Sequence, residues 1–461
     1  MSLHTSRVVT RVTTRPFSLS ASLGWVFLLK NLLYGGWVMD ILTDLQKRGL
    51  INQVTDEEGL KKHLAENKVT LYCGFDPTAD SLHIGHLVPL TMLKRFQLAG
   101  HNAIALIGGG TGMIGDPSGR TEERSLNSEE VVHGFSDSIA KQIKGILQID
   151  GEDESIKTRN NHDWLSKLTM IDFLRDTGKH FGINYMLAKE SVSTRIEQGI
   201  TYTEFSYMLL QSLDFLKLYE EEGVTLQIGG SDQWGNITAG LEYIRRSREN
   251  LDEEIKAYGL TVPLITKADG TKFGKSTGEA VWLDKDKTTP YEFYQFWYNT
   301  DDRDVIKFIE YFTFLDHEEI DELRKCVEEE AWKREAQIRL AEEMTKMVHG
   351  EEALVQAQKI SEALFSGDVK ELSIADIEQG FKDVPSFETE IKDFGLVDLL
   401  VEAKISSSRR QAREDISNGA IYINGDRNQD IDYKLGSEDR LEDQFTIIRR
   451  GRRNYFLIRY V

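Results

Sequence analysis

The sequence predicts an α/β protein with a parallel-sheet domain first, a helical domain second and a small α/β module last. Three observations carry this. First, an apolar strand pattern at 69–74 passes through a Gly/Pro turn into a helical stripe of Leu87, Leu90, Leu93 and Phe96, and a second strand pattern follows at 102–107. Such a β-α-β unit favours a parallel sheet with a crevice at the carboxyl ends of its strands. Second, from Thr289 to about Phe365 the chain turns helical and highly charged. Third, beyond Leu396 two short helices precede a strand or hairpin at 420–426 and a strand at 445–449. The expected units are an extension at 1–38, the sheet domain at 39–260, a mobile loop and linker at 261–288, helices at 289–366, a Gly/Asp/Ser/Pro linker at 367–395 and the module at 396–461.

Within the sheet domain, further helices are expected at 128–147, 170–177 and 205–222, with a strand at 225–229. With 40% apolar residues and only seven prolines, the composition suits a globular protein of several domains. Cys73 and Cys326, the two cysteines, form no CxxC pair. That argues against a disulfide framework or a structural zinc and fits a reducing cytoplasm. A net charge of −20 disfavours blanket nucleic-acid binding, yet 445–461 holds five arginines and no acid, as suits a polyanionic partner. No acid precedes Asp40, and Arg7, Arg11, Arg15 and Lys30 give a basic leader. A transit peptide has that composition. The preferred reading is a misassigned start or a dispensable extension, because Met39-Asp40-Ile41-Leu42 begins an ordinary amphipathic helix. The apolar run 23–29 is too short to span a bilayer, so no membrane association is expected.

The most informative run is 72–86, Tyr-Cys-Gly-Phe-Asp-Pro-Thr-Ala-Asp-Ser-Leu-His-Ile-Gly-His. Histidines at the mouth of a helix donate to phosphate beside backbone N–H groups that have no intrahelical partner. Gly85, lacking Cβ, lets a flat ring approach the backbone. Pro89 supports a helix start near 84–86, where its missing N–H costs little. The loop 108–119 contains a literal GxGxxG at Gly110, Gly112 and Gly115. A dinucleotide site is rejected there, because the acids about twenty residues on fall inside a helix rather than at a strand end. Residues 267–278 read KADGTKFGKSTG, and Lys272 and Lys275 among glycines suit a lid that swings ammonium groups onto polyphosphate. Tyr207, Gln211 and Asp214 fall on one helical face by their spacing. Gly229-Gly230-Ser231-Asp232 follows a strand, and its glycines and acid suit a ribose hydroxyl.

His83-Ile84-Gly85-His86 with Lys272-Phe273-Gly274-Lys275-Ser276 about 190 residues later resembles the two signatures of class I aminoacyl-tRNA synthetases. The longer strings are similar to the bacterial tyrosyl enzymes, and the resemblance runs from about Met39 to Val461 with every motif in family order. It implies a Rossmann-like catalytic domain, an anticodon-region helical domain and an S-four-type RNA-binding module. The implied reaction joins tyrosine to ATP as tyrosyl-adenylate, then passes the tyrosyl group to the terminal ribose of tRNA(Tyr). Thr78, His83, His86, Lys272, Lys275 and Ser276 would stabilise the transferring phosphate, with His86 nearer the ribose and helix entrance. Tyr72 and Asp214 would read the phenol hydroxyl. Asp116, Tyr207 and Gln211 would take the ammonium group, with Gln233 near the carboxylate and Gln227 close by. Cys73, Gly74, Asp76, Gly85, Gly230 and Asp232 would line the ATP and ribose side. Arg409, Arg410, Arg413, Arg449, Arg450, Arg452 and Arg453 would contact tRNA. No residue is assigned to a metal, and Mg²⁺ would arrive on ATP. The family analogy also implies a homodimer. A tryptophanyl enzyme and a non-catalytic RNA-binding protein on the same scaffold are the competing readings, the first disfavoured by Tyr72 and Asp214, the second by the intact signatures.

Overall fold

The computed structural model describes residues 40–119, 126–149, 155–196, 199–249, 254–270, 273–276, 279–382, 384–390, 394–452 and 454–461. The extension expected at 1–38 lies outside them. Six strands form the first sheet: β1 (Gln53–Val54), β2 (Thr70–Phe75), β3 (Asn102–Ile107), β4 (Ile156–Asn160), β5 (Val224–Gly230) and β6 (Tyr258–Val262). Their spatial order is β1-β6-β5-β2-β3-β4, parallel from β6 to β4 with β1 antiparallel at the edge. The order reverses between β2 and β5, so a crevice opens there at the carboxyl ends.

Period-two alternation decides which side chain faces which layer. Leu71, Cys73 and Phe75 of β2 and Ala103, Ala105 and Ile107 of β3 join the core under helices α1 (Leu87–Leu98) and α2 (Glu129–Leu147). Tyr72, Ile104 and Leu106 point the other way, into the core that holds α3 (Tyr202–Glu222) and α4 (Trp234–Ser247). Entry to α1 is a single 3₁₀ turn, Ile84–His86, and Pro89 sits in its first turn, where no N–H is required. Ser128 caps α2 by accepting from Val131 N–H, and Thr201 caps α3 by accepting from Glu204 N–H.

Five helices follow, Pro290–Tyr298, Asp302–Phe312, His317–Glu330, Glu335–His349 and Glu351–Ser366. Thr289 with Glu292, and Asp316 with Glu319, form capping boxes at two of their starts. Their apolar faces run into the same core as α1, with Trp297, Phe293 and Phe312 fully buried. Arg48 and Arg95 reach across this junction to the carbonyls of Leu315 and Thr313, at 2.7 and 2.5 Å.

The stretch expected as a linker, 367–395, is instead structured. It carries a helix, Ile374–Gly380, and a strand, Ser386–Thr389, that pairs in parallel with Asn454–Tyr460. Ile377 and Phe381 are buried against Ile447 and Leu457. A seven-residue helix and a four-residue strand are each too short to display a period in sequence. They complete a five-stranded sheet in the order Asp426–Asn428, Ile421–Ile423, Phe445–Arg450, Asn454–Tyr460, Ser386–Thr389. The basic end of the chain is therefore a central hairpin rather than a tail. No described helix is long and apolar enough to cross a membrane.

Candidate active site

The carboxyl ends of β2, β3 and β5, with one face of α3, enclose a cleft of about 610 Å³, a size typical of small-molecule sites. Tyr72, Cys73, Gly74, Asp76, Thr78, His83, Gly85, His86, Asp116, Tyr207, Gln211, Asp214, Gln227, Gly230, Asp232 and Gln233 all line it. Lys272 lies outside the described residues, and only the backbone of Lys275 and Ser276 is described, in a two-strand turn with Glu279–Ala280.

One pole of the cleft is built around Asp214. Its Oδ2 accepts from Asn161 Nδ2 and its Oδ1 from Trp164 Nε1, both at 2.8 Å. Burial pushes its pKa up to about 7 against the pull of those two donors, and the nearby charge of Asp76 adds to the rise. Tyr72 is fully buried, and its hydroxyl has no hydrogen-bond partner. Burial, then the charge of Asp214, holds that phenol well above its ordinary pKa. Gln227 stands opposite Tyr72 on β5, and its Oε1, like that of Gln211, is also buried without a partner. Each such atom costs about 1–3 kcal/mol if left unsatisfied. Three of them in one cleft describe a surface shaped for a polar ligand.

Next to this pole, Asp76 accepts from the Tyr207 hydroxyl at 2.8 Å and from Thr111 Oγ1 at 2.7 Å. Asp76, expected on the ATP side, is thus joined to Tyr207, expected at the ammonium group. Gly108 permits this, since any side chain there would overlap both Asp76 and Thr111. Asp116 accepts from Ser118 N–H at 2.9 Å and from Gln233 Nε2 at 2.6 Å. The same Gln233 amide reaches Asp232 at 3.1 Å, so it bridges the residues expected to hold substrate ammonium and ribose. Burial raises the pKa of Asp232, with the charge of Asp116 adding to it. Together Asp76, Asp116, Asp214 and Asp232 make the cleft attractive to a cation. Burial and the charge of Asp232 push the Cys73 thiol up to about 12, which leaves it un-ionised.

At the mouth, His83 Nδ1 accepts from Gly85 N–H at 3.1 Å, and His86 Nδ1 accepts from His83 N–H at 3.1 Å. The accepting Nδ1 of His83 is bare, so its proton resides on Nε2, whereas His86 Nδ1 also lies 3.3 Å from the His83 carbonyl. Burial pushes the pKa of His86 down to about 3 and lowers that of His83. Both rings are therefore neutral, with centroids 4.1 Å apart and planes tilted by 35°. The strand after the lysine loop returns to this motif, with Ile84 N–H on Val281 at 3.0 Å and Leu283 N–H on Leu82 at 2.8 Å. Phe273 stacks on Phe312 at 5.3 Å and meets Phe308 at 4.9 Å. That loop is thus anchored in the helical segment.

Asn161, Trp164 and Thr111 were not singled out by the sequence. Asn161 lies 53 positions from Asp214, beside no pattern that marks a site. Its only signal was a polar turn directly after a strand. In the last module, Arg409, Arg410, Arg413 and Arg452 are exposed. Arg449 lies 4.0 Å over the ring of Tyr422. Arg450 is engaged internally, donating to the Ile405 carbonyl at 2.7 Å and pairing with Asp415 at 2.9 Å. Arg453 lies outside the described residues.

Comparison with known proteins points to one family. A family model described as tRNA synthetases class I (W and Y) matches residues 64–366, and one described as the tyrosine–tRNA ligase SYY-like C-terminal domain matches 376–458. The chain is 70% identical over 422 residues to a tyrosine–tRNA ligase of Oceanobacillus iheyensis, covering 91% of this chain and 99% of the relative. It is 64% identical over 422 residues to tyrosine–tRNA ligase 1 of Bacillus cereus, covering 92% of this chain and all of the relative. Among solved structures, a C-terminally truncated mitochondrial tyrosyl-tRNA synthetase of Aspergillus nidulans superposes with a TM-score of 0.64 at 30% identity, covering 74% of this chain and 99% of that one.

Proposed function

Because the chain belongs to the class I tRNA synthetases of the tryptophan and tyrosine group, we infer that the cleft binds tyrosine beside ATP and that the lysine loop closes over both. The chain is a tyrosine–tRNA ligase. It activates tyrosine with ATP to tyrosyl-adenylate and pyrophosphate, then transfers the tyrosyl group to the 3′-terminal ribose of tRNA(Tyr). The observation that carries the choice of tyrosine is the unpartnered Tyr72 hydroxyl beside Asp214. Asp214 accepts a hydrogen bond from the substrate phenol and Tyr72 donates to its oxygen, which gives the Tyr72 hydroxyl its partner. Phenylalanine leaves that buried hydroxyl unsatisfied and offers Asp214 no further donor.

The ammonium group rests among Asp76, Asp116, Tyr207 and Gln211. Gln233 is near the substrate carboxylate, whose oxygen attacks the α-phosphorus of ATP in line. Asp232 and Gly230 take the ribose. No protein nucleophile is needed, so acceleration comes from positioning and from stabilising charge on the leaving pyrophosphate. His83 supplies a neutral Nε2–H donor, His86 a neutral imidazole, Thr78 a hydroxyl, and Lys272, Lys275 and Ser276 complete the set from the second signature. Mg²⁺ belongs to this reading as a companion of ATP that neutralises its phosphates. Asp76, Asp116, Asp214 and Asp232 already accept from protein donors. Among the described residues no three-ligand cluster lies in the cleft.

Arg409, Arg410, Arg413 and Arg452 face solvent and suit tRNA phosphates, and residues 289–366 fit an anticodon-region domain. Met170, Ile171 and Ile183 are 74%, 66% and 60% exposed, an apolar surface that fits a homodimer contact. We place the enzyme in the cytoplasm, where its thiols stay reduced. Exchange of labelled pyrophosphate into ATP tests the reading. Exchange that requires tyrosine supports it, whereas exchange that requires tryptophan, or none at all, overturns it. A sedimentation measurement reading only a 53 kDa species at micromolar concentration, against the 52.6 kDa of one chain, would remove the dimer.

A further inference from the structure

Glu129 and His133 sit one turn apart at the start of α2, and His162 opens the short helix His162–Leu165 just past β4. None of the three lines the cleft. The parallel pairing of β4 on β3, with α2 packed beside them, brings the three to one corner of the sheet domain. Glu129 Oε1 stands 3.6 Å from His133 Nε2 and 3.7 Å from His162 Nε2, and one ligand atom from each residue lies within 4.8 Å of the others. The two imidazole rings meet edge to face, 4.5 Å apart at 81°.

Those separations are too long for direct hydrogen bonds. They are close to what a shared ion imposes, because two ligands about 2.0–2.2 Å from a tetrahedral zinc lie roughly 3.3 Å from one another. Two imidazoles and a carboxylate form a donor set that favours zinc, nickel or cobalt over magnesium or calcium. A Glu–His pair one helical turn apart is by itself an ordinary surface ion pair. The difference here is a third ligand from a separate element, held by its own bonds. His162 N–H donates to Asn160 Oδ1 at 3.0 Å, and its carbonyl accepts from Ser166 Oγ at 2.6 Å.

We propose that Glu129, His133 and His162 bind one divalent transition-metal ion of the zinc type, with water completing the coordination. The ion ties α2 to the turn that carries Asn161 and Trp164. Those residues flank His162 and both donate to Asp214. The site therefore braces the pocket from behind and takes no part in the chemistry.

The test is isothermal titration of zinc chloride into chelator-stripped, full-length protein in a non-coordinating buffer at pH 7.5. Imidazole ligates only in its neutral form, so the pH is held constant throughout. Wild type is compared with His133→Ala, His162→Ala and, because His83 and His86 form a second imidazole pair, His83→Ala. The expected result is one tight site that survives His83→Ala and weakens at least about 10- to 100-fold in the other two variants. Neither His133 nor His162 is buried, and matching circular dichroism spectra for all four proteins establish that the variants fold. Equal zinc affinity and stoichiometry in all four, or no tight site in wild type, overturns the proposal.

Discussion

Asn161 Nδ2 lies 2.8 Å from Asp214 Oδ2, which fastens the turn after β4 to the middle of α3 at the wall of the cleft proposed to hold tyrosine. Asn161 also accepts from Gly110 N–H at 2.7 Å, so the glycine loop hangs from the same side chain. Replacing it by alanine removes a donor to a buried carboxylate, an interaction worth about 1.5–3 kcal/mol. Asn161→Ala should raise the KM for tyrosine roughly 10- to 100-fold, with a smaller change in kcat. Steady-state pyrophosphate exchange measures both, and an unchanged KM would remove Asn161 from the pocket.

Asp214→Ala should weaken tyrosine far more than phenylalanine, because only tyrosine offers a hydroxyl to lose. Discrimination between the two should fall by about 10- to 100-fold, the loss expected for one charged hydrogen bond. Competition of the two amino acids in the exchange assay reads this ratio. A variant that still discriminates like wild type would transfer the selectivity to other residues.

The raised pKa of Asp214 gives tyrosine binding a pH dependence. The ionised carboxylate is the acceptor, so affinity is full above about pH 7 and falls as pH drops through that value, by up to tenfold per unit. For the ligand-free protein the sign is opposite. A folded-state pKa raised from 3.8 to about 7 stabilises the protonated native form, and that contribution is full below 3.8 and is lost progressively as pH rises from there to about 7. Equilibrium titration of tyrosine from pH 5.5 to 8.5 should show the first effect, and Asp214→Asn should flatten it.

Gly85→Ala should act on ATP and spare tyrosine. A Cβ at Gly85 would stand 2.8 Å from His83 Cε1 and 3.0 Å from its Nδ1. The imidazole must move, and the Nε2–H it presents moves with it. The expected outcome is a KM for ATP at least about tenfold higher, the loss of one neutral donor of about 1.4 kcal/mol, with tyrosine affinity unchanged. Parallel changes in both would mean that the whole α1 entrance had shifted.

Arg195 and Glu204 form a doubly bonded ion pair, at 3.1 and 2.9 Å, with both side chains only 3% exposed. Glu204→Ala strands a buried guanidinium and should destabilise the protein by about 3–5 kcal/mol. Urea unfolding followed by tryptophan fluorescence should show a clearly lower midpoint. The double variant Arg195→Met, Glu204→Leu should recover much of the loss.

What could be read without coordinates was whatever the chain writes locally. The apolar runs of β2 and β3, the stripe on α1, and the spacing of Tyr207, Gln211 and Asp214 are local patterns, and these alone placed the residues on strands and on one helical face. The paired signatures, His83 to His86 and Lys272 to Ser276, pointed to a phosphate-handling cleft because residue type and order sufficed. The short elements at 374–389 escaped because a seven-residue helix and a four-residue strand are too short to show a period. Arg450 was counted among the tRNA contacts because its charge is visible in sequence while its pairing with Asp415 is not.

The tertiary structure decided everything that depends on which distant segments meet. Strand order put β2 beside β5, which sets Tyr72 opposite Gln227. The turn after β4 delivered Asn161 and Trp164 to Asp214, and the fold of the lysine loop sent Phe273 into the aromatic cluster of the helices. Local composition determines which groups are available to react. Hydrogen bonds between residues 50 to 131 positions apart determine which of them share a cleft, and burial within that cleft sets their protonation.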